Sequence, residues 1–223
     1  MNLTQKMVYY PMRVISRTLC RVHDSEMAKI PFAGPLILVA NHVNFLDVPL
    51  FYTHLIPRPV TGFVKHENWS NPVLGPLFVL GGAIPVRRGE VDRGAIDGAL
   101  HALQAGKILA IAPEGTRSGD GCLRKARPGL ALLAKASGAP VLPVAYYGGE
   151  KFRRNLGRLR RTDFYFKVGS PFRLANNDWP NQRDVRQQIT DEMMYRIATL
   201  LPEEYRGYYA DLSKAEDTYW VPA

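Results

Sequence analysis

The sequence predicts an α/β fold in which helices flank a mostly parallel, mixed β-sheet. From residue 35 onward, short β-rich runs alternate with helical or loop segments, as in strands joined by crossover connections. The 223 residues are 46% hydrophobic and 22% charged, which suits a sizeable core and argues against a disordered chain. We expect one main domain over residues 31–201, with an N-terminal segment at 1–30 and a C-terminal tail at 202–223.

Six β-rich runs are the predicted strands of this sheet: residues 36–40, 60–64, 84–87, 108–112, 141–147 and 164–168. Three segments have apolar residues at helical spacings and are the predicted helices: 91–104, 128–136 and 183–200. The tail is rich in tyrosine and charge, and we expect it to wrap the surface or to be loosely ordered.

The first two dozen residues have the pattern of a basic amphipathic helix, interrupted near Pro11. One helical face carries the cations Lys6, Arg13, Arg17 and Arg21. The opposite face carries the apolar residues Val8, Met12, Ile15, Leu19 and Val22. Such a helix either lies in the surface of an anionic bilayer or packs on the core, and the pattern alone favours neither.

The formal net charge of +9 predicts attraction to polyanions, which include nucleic acids, anionic bilayers and phosphorylated small molecules. Six cations are interleaved with apolar residues at 151–161, which suits a bilayer surface or a solvated charge run. We expect no nucleic-acid partner, because no recognised binding motif accompanies the charge. The charge-free stretch 68–86 contains three prolines and three glycines, so it predicts buried core or a pocket wall, not a membrane-spanning helix.

A histidine and an aspartate follow the first predicted strand, in the sequence NHVNFLD at 41–47. Positions five apart on an α-helix differ in direction by roughly 140°, so His42 can face Asp47 only if the chain turns there and a helix begins afterwards. Asp47 would then accept a hydrogen bond from one imidazole nitrogen and leave the other basic towards a hydroxyl group. The spacing alone is weak support, since Asp47 could instead cap a helix.

A second polar segment, PEGTRS at 113–118, follows the predicted strand 108–112. Gly115 permits close backbone approach, while Thr116 and Ser118 offer hydroxyl donors. Arg117 can direct two hydrogen bonds onto a phosphate group. Glu114 cannot bind phosphate, and we expect it to orient a cation or a substrate hydroxyl. In isolation the segment is equally consistent with a tight surface turn and a salt bridge.

Together these segments resemble the lysophosphatidic acid acyltransferase (1-acylglycerol-3-phosphate O-acyltransferase) family of glycerolipid acyltransferases. Its hallmark is an Asn-His-x4-Asp (HxxxxD) block followed by a Pro-Glu-Gly-Thr-Arg-Ser block, and both are present in order. Two weaker blocks also match, GAIPVRR at 82–88 and VLPV at 141–144. The resemblance spans about residues 35–144 and implies a glycerolipid-acyltransferase-like fold with an N-terminal amphipathic membrane-binding helix.

The resemblance implies that His42 and Asp47 are the catalytic pair of an O-acyltransferase. It assigns the acceptor's glycerol-phosphate site to Lys65, Arg88, Glu114, Gly115, Thr116 and Arg117. The implied reaction moves a fatty acyl group from acyl-CoA or acyl carrier protein to a lysophospholipid hydroxyl, converting 1-acylglycerol-3-phosphate to phosphatidic acid. We expect no metal and no cofactor beyond this acyl co-substrate, and a peripheral or monotopic protein at the cytoplasmic face of an anionic membrane.

Three departures from the family pattern leave the acceptor open. Asn44 stands where the family usually has serine, Pro85 where it usually has phenylalanine, and Ala112 where an aromatic residue commonly precedes Pro113. One alternative is therefore an acyltransferase for another lysolipid or a glycolipid. Another is a catalytically silent lipid-binding membrane module, which the intact His42 and Asp47 disfavour because packing does not require both.

Overall fold

The computed structural model describes residues 3–87, 92–175 and 178–223. Within these ranges the helices are α1 (Leu3–Leu19), α2 (Asp47–His54), α3 (Leu74–Leu80), α4 (Arg93–Gln104), α5 (Gly129–Ser137), α6 (Phe152–Leu156) and α7 (Arg183–Leu200). The strands are β1 (Cys20–His23), β2 (Leu36–Ala40), β3 (Val60–Lys65), β4 (Ile84–Val86), β5 (Ile108–Ile111), β6 (Val141–Tyr147), β7 (Thr162–Val168), β8 (Phe172–Leu174) and β9 (Trp220–Pro222).

One sheet holds all nine strands, with the order β1-β7-β6-β2-β5-β3-β4 along its main path. The five strands from β6 to β4 are mutually parallel, whereas β7 and β8 pair antiparallel with β6. This confirms the predicted mostly parallel, mixed sheet. Strand β2 lies between β5 and β6. The chain runs from β2 towards β3 on one side of it and from β5 back to β6 on the other, so the strand order reverses here. Open α/β sheets bind ligands at such a reversal point.

Strand β2 is buried on both faces, as expected for a central parallel strand. Ile37 and Val39 pack into an apolar cluster with α4, α5 and α7 on one face of the sheet. Leu36 and Leu38 pack into a second cluster with α2 and α6 on the other face. The sheet is therefore sandwiched between two layers of helices, and its strand ends are held at fixed positions.

Helix α1 is continuous from Leu3 to Leu19 and contains Pro11, so the predicted interruption is wrong. A proline removes only one helical hydrogen bond, and α1 is also held from the side, where buried Tyr9 meets Tyr52 of α2 edge-on. The chain leaves the helix after Leu19, so the predicted face members Arg21 and Val22 belong to β1 instead.

The charge-free stretch 68–86 is buried core only in part: Ile84 of β4 packs into the cluster with α4, α5 and α7, whereas the rest lies mostly at the surface. It contains α3, in which Gly75 alone is buried, and the side chains of Val73, Leu74 and Val79 are exposed. Among the described residues no helix is long and apolar enough to cross a bilayer. The stretch therefore adds apolar surface beside α1, whose Gln5 donates a hydrogen bond to the carbonyl of Leu80.

The C-terminal tail packs along the main domain. Tyr209 and Trp220 are buried in the same cluster as α5 and α7, and β9 extends the sheet by pairing with β8. Leu123, in the segment after the PEGTRS block, exchanges backbone hydrogen bonds with Tyr205 and Tyr208. The tail thus supports the chain that follows this block.

Candidate active site

Four parallel strands present polar segments at one edge of the sheet. The chain leaves β2 into residues 41–46, β5 into residues 112–119 and β6 into Gly148 and Gly149, while β3 ends at Lys65. Carboxyl ends of parallel strands share an edge, so the predicted site residues from distant parts of the sequence converge there.

His42 and Asp47 form the predicted hydrogen-bonded pair, with 2.7 Å between Nδ1 and Oδ2. The chain turns through residues 41–46 and α2 begins at Asp47, which is the arrangement that the spacing requires. His42 is partly exposed whereas Asp47 is buried. Because Nδ1 faces the carboxylate, Nε2 is the imidazole nitrogen left for a substrate hydroxyl.

The Asp47 carboxylate also organises the loop. Its Oδ2 accepts backbone hydrogen bonds from Val43 at 2.8 Å and Asn44 at 2.9 Å, in addition to the bond from His42. Three donors on one oxygen fix both the loop and the carboxylate, so the direction of the imidazole is set before a substrate arrives.

Tyr146 of β6 supports this loop from beneath. Its fully buried hydroxyl accepts a hydrogen bond from the backbone amide of Val43 at 2.7 Å. Burial, and then the charge of Asp47, raise the pKa of Tyr146 well above its usual range. Asn41 holds the backbone of Tyr146 through both its amide nitrogen and its amide oxygen, at 2.9 and 3.0 Å. Asn41 and Tyr146 thus join the end of β2 to β6.

Glu114 holds the same loop from the side of β5. It is 3% exposed; Oε1 accepts the backbone amide of His42 at 2.8 Å and Oε2 that of Arg124 at 2.9 Å. We expected this carboxylate to orient a cation or a substrate hydroxyl, but both oxygens are bound to backbone amides in a buried position. Burial raises the pKa of Glu114 to about 7, although the two hydrogen bonds oppose the shift.

The PEGTRS segment docks directly onto the histidine loop. The amides of Ser118 and Gly119 donate to the carbonyls of His42 and Val43, at 2.7 and 3.0 Å. Gly115 has a φ of +67°, and a Cβ there would come within 3.1 Å of the Arg127 side chain. Gly115 therefore serves both a left-handed turn and the close approach of a guanidinium group.

The predicted phosphate-binding side chains lie on the exposed side of this edge. Thr116 and Arg117 are exposed, and Arg117 makes no hydrogen bond or ion pair within the described part of the chain. Lys65 is half-buried, with its Nζ 3.2 Å from Oε1 of Glu67. Arg88 lies outside the described residues. These substrate-binding assignments stay predictions.

A family model described as Acyltransferase matches residues 20–147. The chain belongs to the Acyltransferase family. The match contains all four motif blocks, which confirms the resemblance predicted from the sequence. It also contains Asn41, Tyr146 and every described member of the predicted site, so the family region and the convergent strand ends coincide.

Several characterised acyltransferases are similar to this chain. A 1-acyl-sn-glycerol-3-phosphate acyltransferase from Bacillus subtilis is 26% identical over 180 residues, covering 81% of this chain and 87% of the relative. One from Borreliella burgdorferi is 28% identical over 125 residues, covering 55% and 50%. A lyso-ornithine lipid O-acyltransferase from Pseudomonas aeruginosa is 32% identical over 142 residues, covering 57% and 54%. The match thus spans about half the length of the last two relatives.

The fold matches that of a solved family structure. The crystal structure of the 1-acyl-sn-glycerophosphate (LPA) acyltransferase PlsC from Thermotoga maritima superposes with a TM-score of 0.63 and 21% identity. The match covers 88% of this chain and 80% of PlsC. At this identity the comparison establishes a shared fold.

The structure gives a reason for one departure from the family blocks. Asn44 accepts a hydrogen bond from the amide of Leu46 at 2.8 Å and donates one to the carbonyl of Gly149 at 2.7 Å. Serine could satisfy the first contact, but its shorter side chain would not span to Gly149. Asn44 therefore adds a tie between the histidine loop and the end of β6.

Sequence reasoning missed Asn41, Tyr146 and Arg127 as members of the site. Asn41 was noted only as the first residue of the Asn-His-x4-Asp block, with no role given to it. For Tyr146, the signal in the sequence was a tyrosine within an otherwise apolar strand. Arg127 is exposed and lies against Gly115, so it adds a guanidinium group beside the loop that carries Arg117. Among the described residues no cluster of His, Cys, Asp or Glu could hold a metal ion.

Proposed function

We propose that this protein is an O-acyltransferase that moves a fatty acyl group from an acyl thioester to a lysophospholipid hydroxyl. The observation that carries the proposal is the pair His42–Asp47, held by buried hydrogen bonds with Nε2 directed away from the carboxylate. A rigid imidazole with one basic nitrogen is the group that hydroxyl activation needs. Names of relatives support the class of reaction.

In the proposed reaction, the acceptor's O–H bond breaks as its proton moves to Nε2 of His42. The acceptor oxygen forms a bond to the thioester carbonyl carbon, which gives a tetrahedral oxyanion. The C–S bond then breaks, and the leaving thiolate takes the proton from Nε2. Asp47 stabilises the imidazolium between these steps and needs no change of protonation.

For the acceptor, we propose 1-acylglycerol-3-phosphate, with phosphatidic acid as the product. Arg117 supports this choice, because it is an exposed guanidinium group with no protein partner within the described residues, one loop away from His42. Arg127 lies beside the same loop, and Lys65 ends the neighbouring strand. Together they offer a phosphate group several donors at one edge of the sheet.

We further propose that α1 lies in the surface of an anionic membrane. The exposed residues Leu3, Met7, Tyr10 and Val14 recur at intervals of three or four and form one apolar stripe. Exposed Val73, Leu74 and Val79 adjoin one end of α1 through the contact of Gln5 with Leu80.

At the other end of α1, Arg161 donates hydrogen bonds to the carbonyls of Arg17 and Cys20. This contact brings the basic stretch 151–161 to the helix, with Leu159 almost fully exposed. Apolar side chains flanked by arginines favour an anionic bilayer. For the donor, acyl-CoA and acyl carrier protein both carry negative charges that suit this stretch.

The function is tested by turnover on a matrix of acyl-CoA and acyl carrier protein donors against lysophospholipid acceptors, with anionic vesicles present. We expect transfer to 1-acylglycerol-3-phosphate, and a loss of at least about 10³-fold in His42→Ala with the melting temperature retained. His101→Ala, in an exposed position on α4, is the matched control and should keep full turnover. Transfer that persists in a folded His42→Ala protein would exclude the proposed base.

A second acceptor class, a lyso-aminolipid, is favoured by one comparison. The relative from Pseudomonas aeruginosa is named a lyso-ornithine lipid O-acyltransferase and is 32% identical over 142 residues, which cover 57% of this chain. Asn44, Pro85 and Ala112 depart from the pattern of the glycerol-phosphate enzymes. Including lyso-ornithine lipid in the acceptor panel decides between the two classes, because a dedicated enzyme should prefer one by at least tenfold in kcat/KM.

A further inference from the structure

A cavity of about 640 Å³ lies under the C-terminal half of α1. Its walls come from α1, from residues 24–32 and from the C-terminal end of α2 with the turn that follows. Since α2 begins at Asp47 and ends at His54, the cavity is separated from the catalytic pair by the length of that helix. The wall near β3 is formed by Arg58, two residues before the first residue of that strand.

Arg58 is a buried cation with an incomplete set of partners. It is 7% exposed, and Nη2 donates a hydrogen bond to the carbonyl of Gly34. Its Nε and Nη1 are buried and have no hydrogen-bond partner among the residues that the structure describes. Burial lowers the pKa of this guanidinium group, as expected where no carboxylate compensates the charge. A buried charge without a counter-ion is costly, so this position favours an anion.

The other charges around the cavity have the same sign. Arg13, Arg17 and Lys29 join Arg58, whereas Asp24 is the one carboxylate among the lining residues. Asp24 already pairs with Arg17, with 2.6 Å between Oδ2 and Nη2. The side chain of Arg13 makes no hydrogen bond or ion pair within the described part of the chain. Lys29 pairs with Glu26, with 3.3 Å between Nζ and Oε2, so the lining cations left for an anion are Arg13 and Arg58.

The rim of the cavity is apolar. Phe32 is a lining residue and is 77% exposed, and Pro31 lines the cavity next to it. A free inorganic anion would gain nothing from these side chains, whereas an amphiphile with an anionic head would contact both the cations and the rim. The rim continues onto α1, whose outer face carries the apolar stripe described above.

We propose that this cavity binds the phosphate group of an anionic phospholipid, at a site separate from the acyl-transfer centre. Arg58 and Arg13 hold the phosphate, and Phe32 contacts the acyl or glycerol part of the lipid. That the bound phosphate belongs to a lipid rests on the proposed membrane association. The anion site itself does not depend on it. Such a lipid would brace α1 against the end of α2.

The anion site is tested by titrating the full chain, labelled with ¹⁵N-histidine, with inorganic phosphate. His54 lines the cavity, so its imidazole resonances report binding there, whereas those of His42 report the catalytic edge. We expect a saturable shift of His54. Arg13→Gln and Arg58→Met should each weaken this response at least tenfold. Lys6→Gln removes one positive charge from the same helix outside the cavity and should leave the affinity within twofold.

Arg58→Met need not unfold the protein, because it removes an uncompensated charge while keeping much of the side-chain volume. Its melting temperature without phosphate should equal or exceed that of the wild type, and phosphate should raise only the wild-type value through this site. A His54 response that is absent, or unchanged in both variants, would overturn the proposal.

The carrier of the phosphate is decided by a second titration, with monomeric dihexanoyl phosphatidylglycerol. A lipid site predicts binding at least tenfold tighter than that of inorganic phosphate, and Phe32→Ser should remove this advantage. Equal affinities would assign the cavity to free phosphate and reject the lipid. Turnover of the wild-type chain is measured separately on soluble substrates. A failed lipid titration therefore does not contradict the proposed acyl transfer, and absent turnover does not contradict the lipid site.

Discussion

The two halves of the candidate active site differ in how they are held. The catalytic half, His42 and Asp47, is fixed by three buried side chains: Tyr146 on β6, Glu114 after β5 and Asn41 after β2. The half predicted to receive the phosphate is exposed, and Arg117 has no protein partner within the described residues. Under the proposed function, the base is oriented before substrate binds, whereas the cations would gain their partners from the substrate itself.

The same contrast predicts where substitutions act. A change behind the catalytic half should lower kcat, because a misdirected imidazole cannot accept the hydroxyl proton in the transition state. A change in the exposed half should raise KM and leave kcat nearly constant. The four predictions below test this division, from the largest expected effect to the smallest.

Asp47→Asn should lower kcat by about 10²–10⁴-fold. A neutral amide cannot stabilise the imidazolium, and its NH2 group, if it takes the place of Oδ2, cannot accept the three hydrogen bonds that Oδ2 accepts. Steady-state turnover with imidazole NMR of His42 checks both the rate and the tautomer. Asp24→Asn, which changes an ion pair of α1, is the control and should keep the rate. Equal losses in both variants would show that the effect is one of folding.

Glu114 should make the protein less stable as pH rises. Its pKa is about 7 in the folded chain and near 4.5 when unfolded, so the native state binds the proton more tightly. The free energy of unfolding therefore falls by about 3 kcal/mol for the whole shift between about pH 4.5 and 7. Above that range the contribution of Glu114 is constant. Denaturant unfolding across pH measures the slope, which Glu114→Gln should flatten.

Glu192 provides the matched control for this slope. It is equally buried, has a raised pKa caused by burial, and accepts backbone amides from Thr218 and Tyr219 far from the site. Both Glu→Gln variants should reduce the pH dependence of stability, but only Glu114→Gln should also lower kcat, by about tenfold. Unchanged turnover in Glu114→Gln would show that the hydrogen bonds of Glu114 support the loop without affecting catalysis.

Arg117→Ala should raise KM for 1-acylglycerol-3-phosphate about tenfold, the value of one charge-assisted contact, with kcat within a factor of two. An acceptor without a phosphate should be much less affected. Arg173→Ala removes an exposed arginine from β8, outside the convergent strand ends, and should leave KM unchanged. A fall in kcat with constant KM would place Arg117 in the catalytic half instead.

Asn44→Ser should have the smallest effect, a destabilisation of about 1 kcal/mol, because serine keeps the turn but loses the bond to Gly149. Turnover should change by less than threefold, since Asp47 still holds the loop. Thermal unfolding and kcat measure the two effects. A larger loss of turnover would show that the tie to β6 positions His42 as strongly as Glu114 does.

Long periodic elements of the fold were predictable from the sequence. Strands β2 and β6 and helix α7 have the predicted bounds, because each is a sustained apolar or periodic run that a core must bury. Short strands such as β1, β8 and β9 were missed, since three or four residues carry no readable period. The length of α1 was misjudged because side contacts with α2 and α3 support a helix that contains a proline.

The sequence by itself determined the fold class and the family, and it made His42, Asp47 and Arg117 candidate site residues, because motif letters record the chemistry that a site needs. The tertiary structure decided what holds them. Glu114 reaches the amide of His42 across 72 residues of sequence, and Tyr146 reaches Val43 across 103. Such hydrogen bonds form only after neighbouring strands align. The sequence motif therefore made Glu114 a candidate substrate ligand, and only the folded chain placed it behind the loop that carries His42.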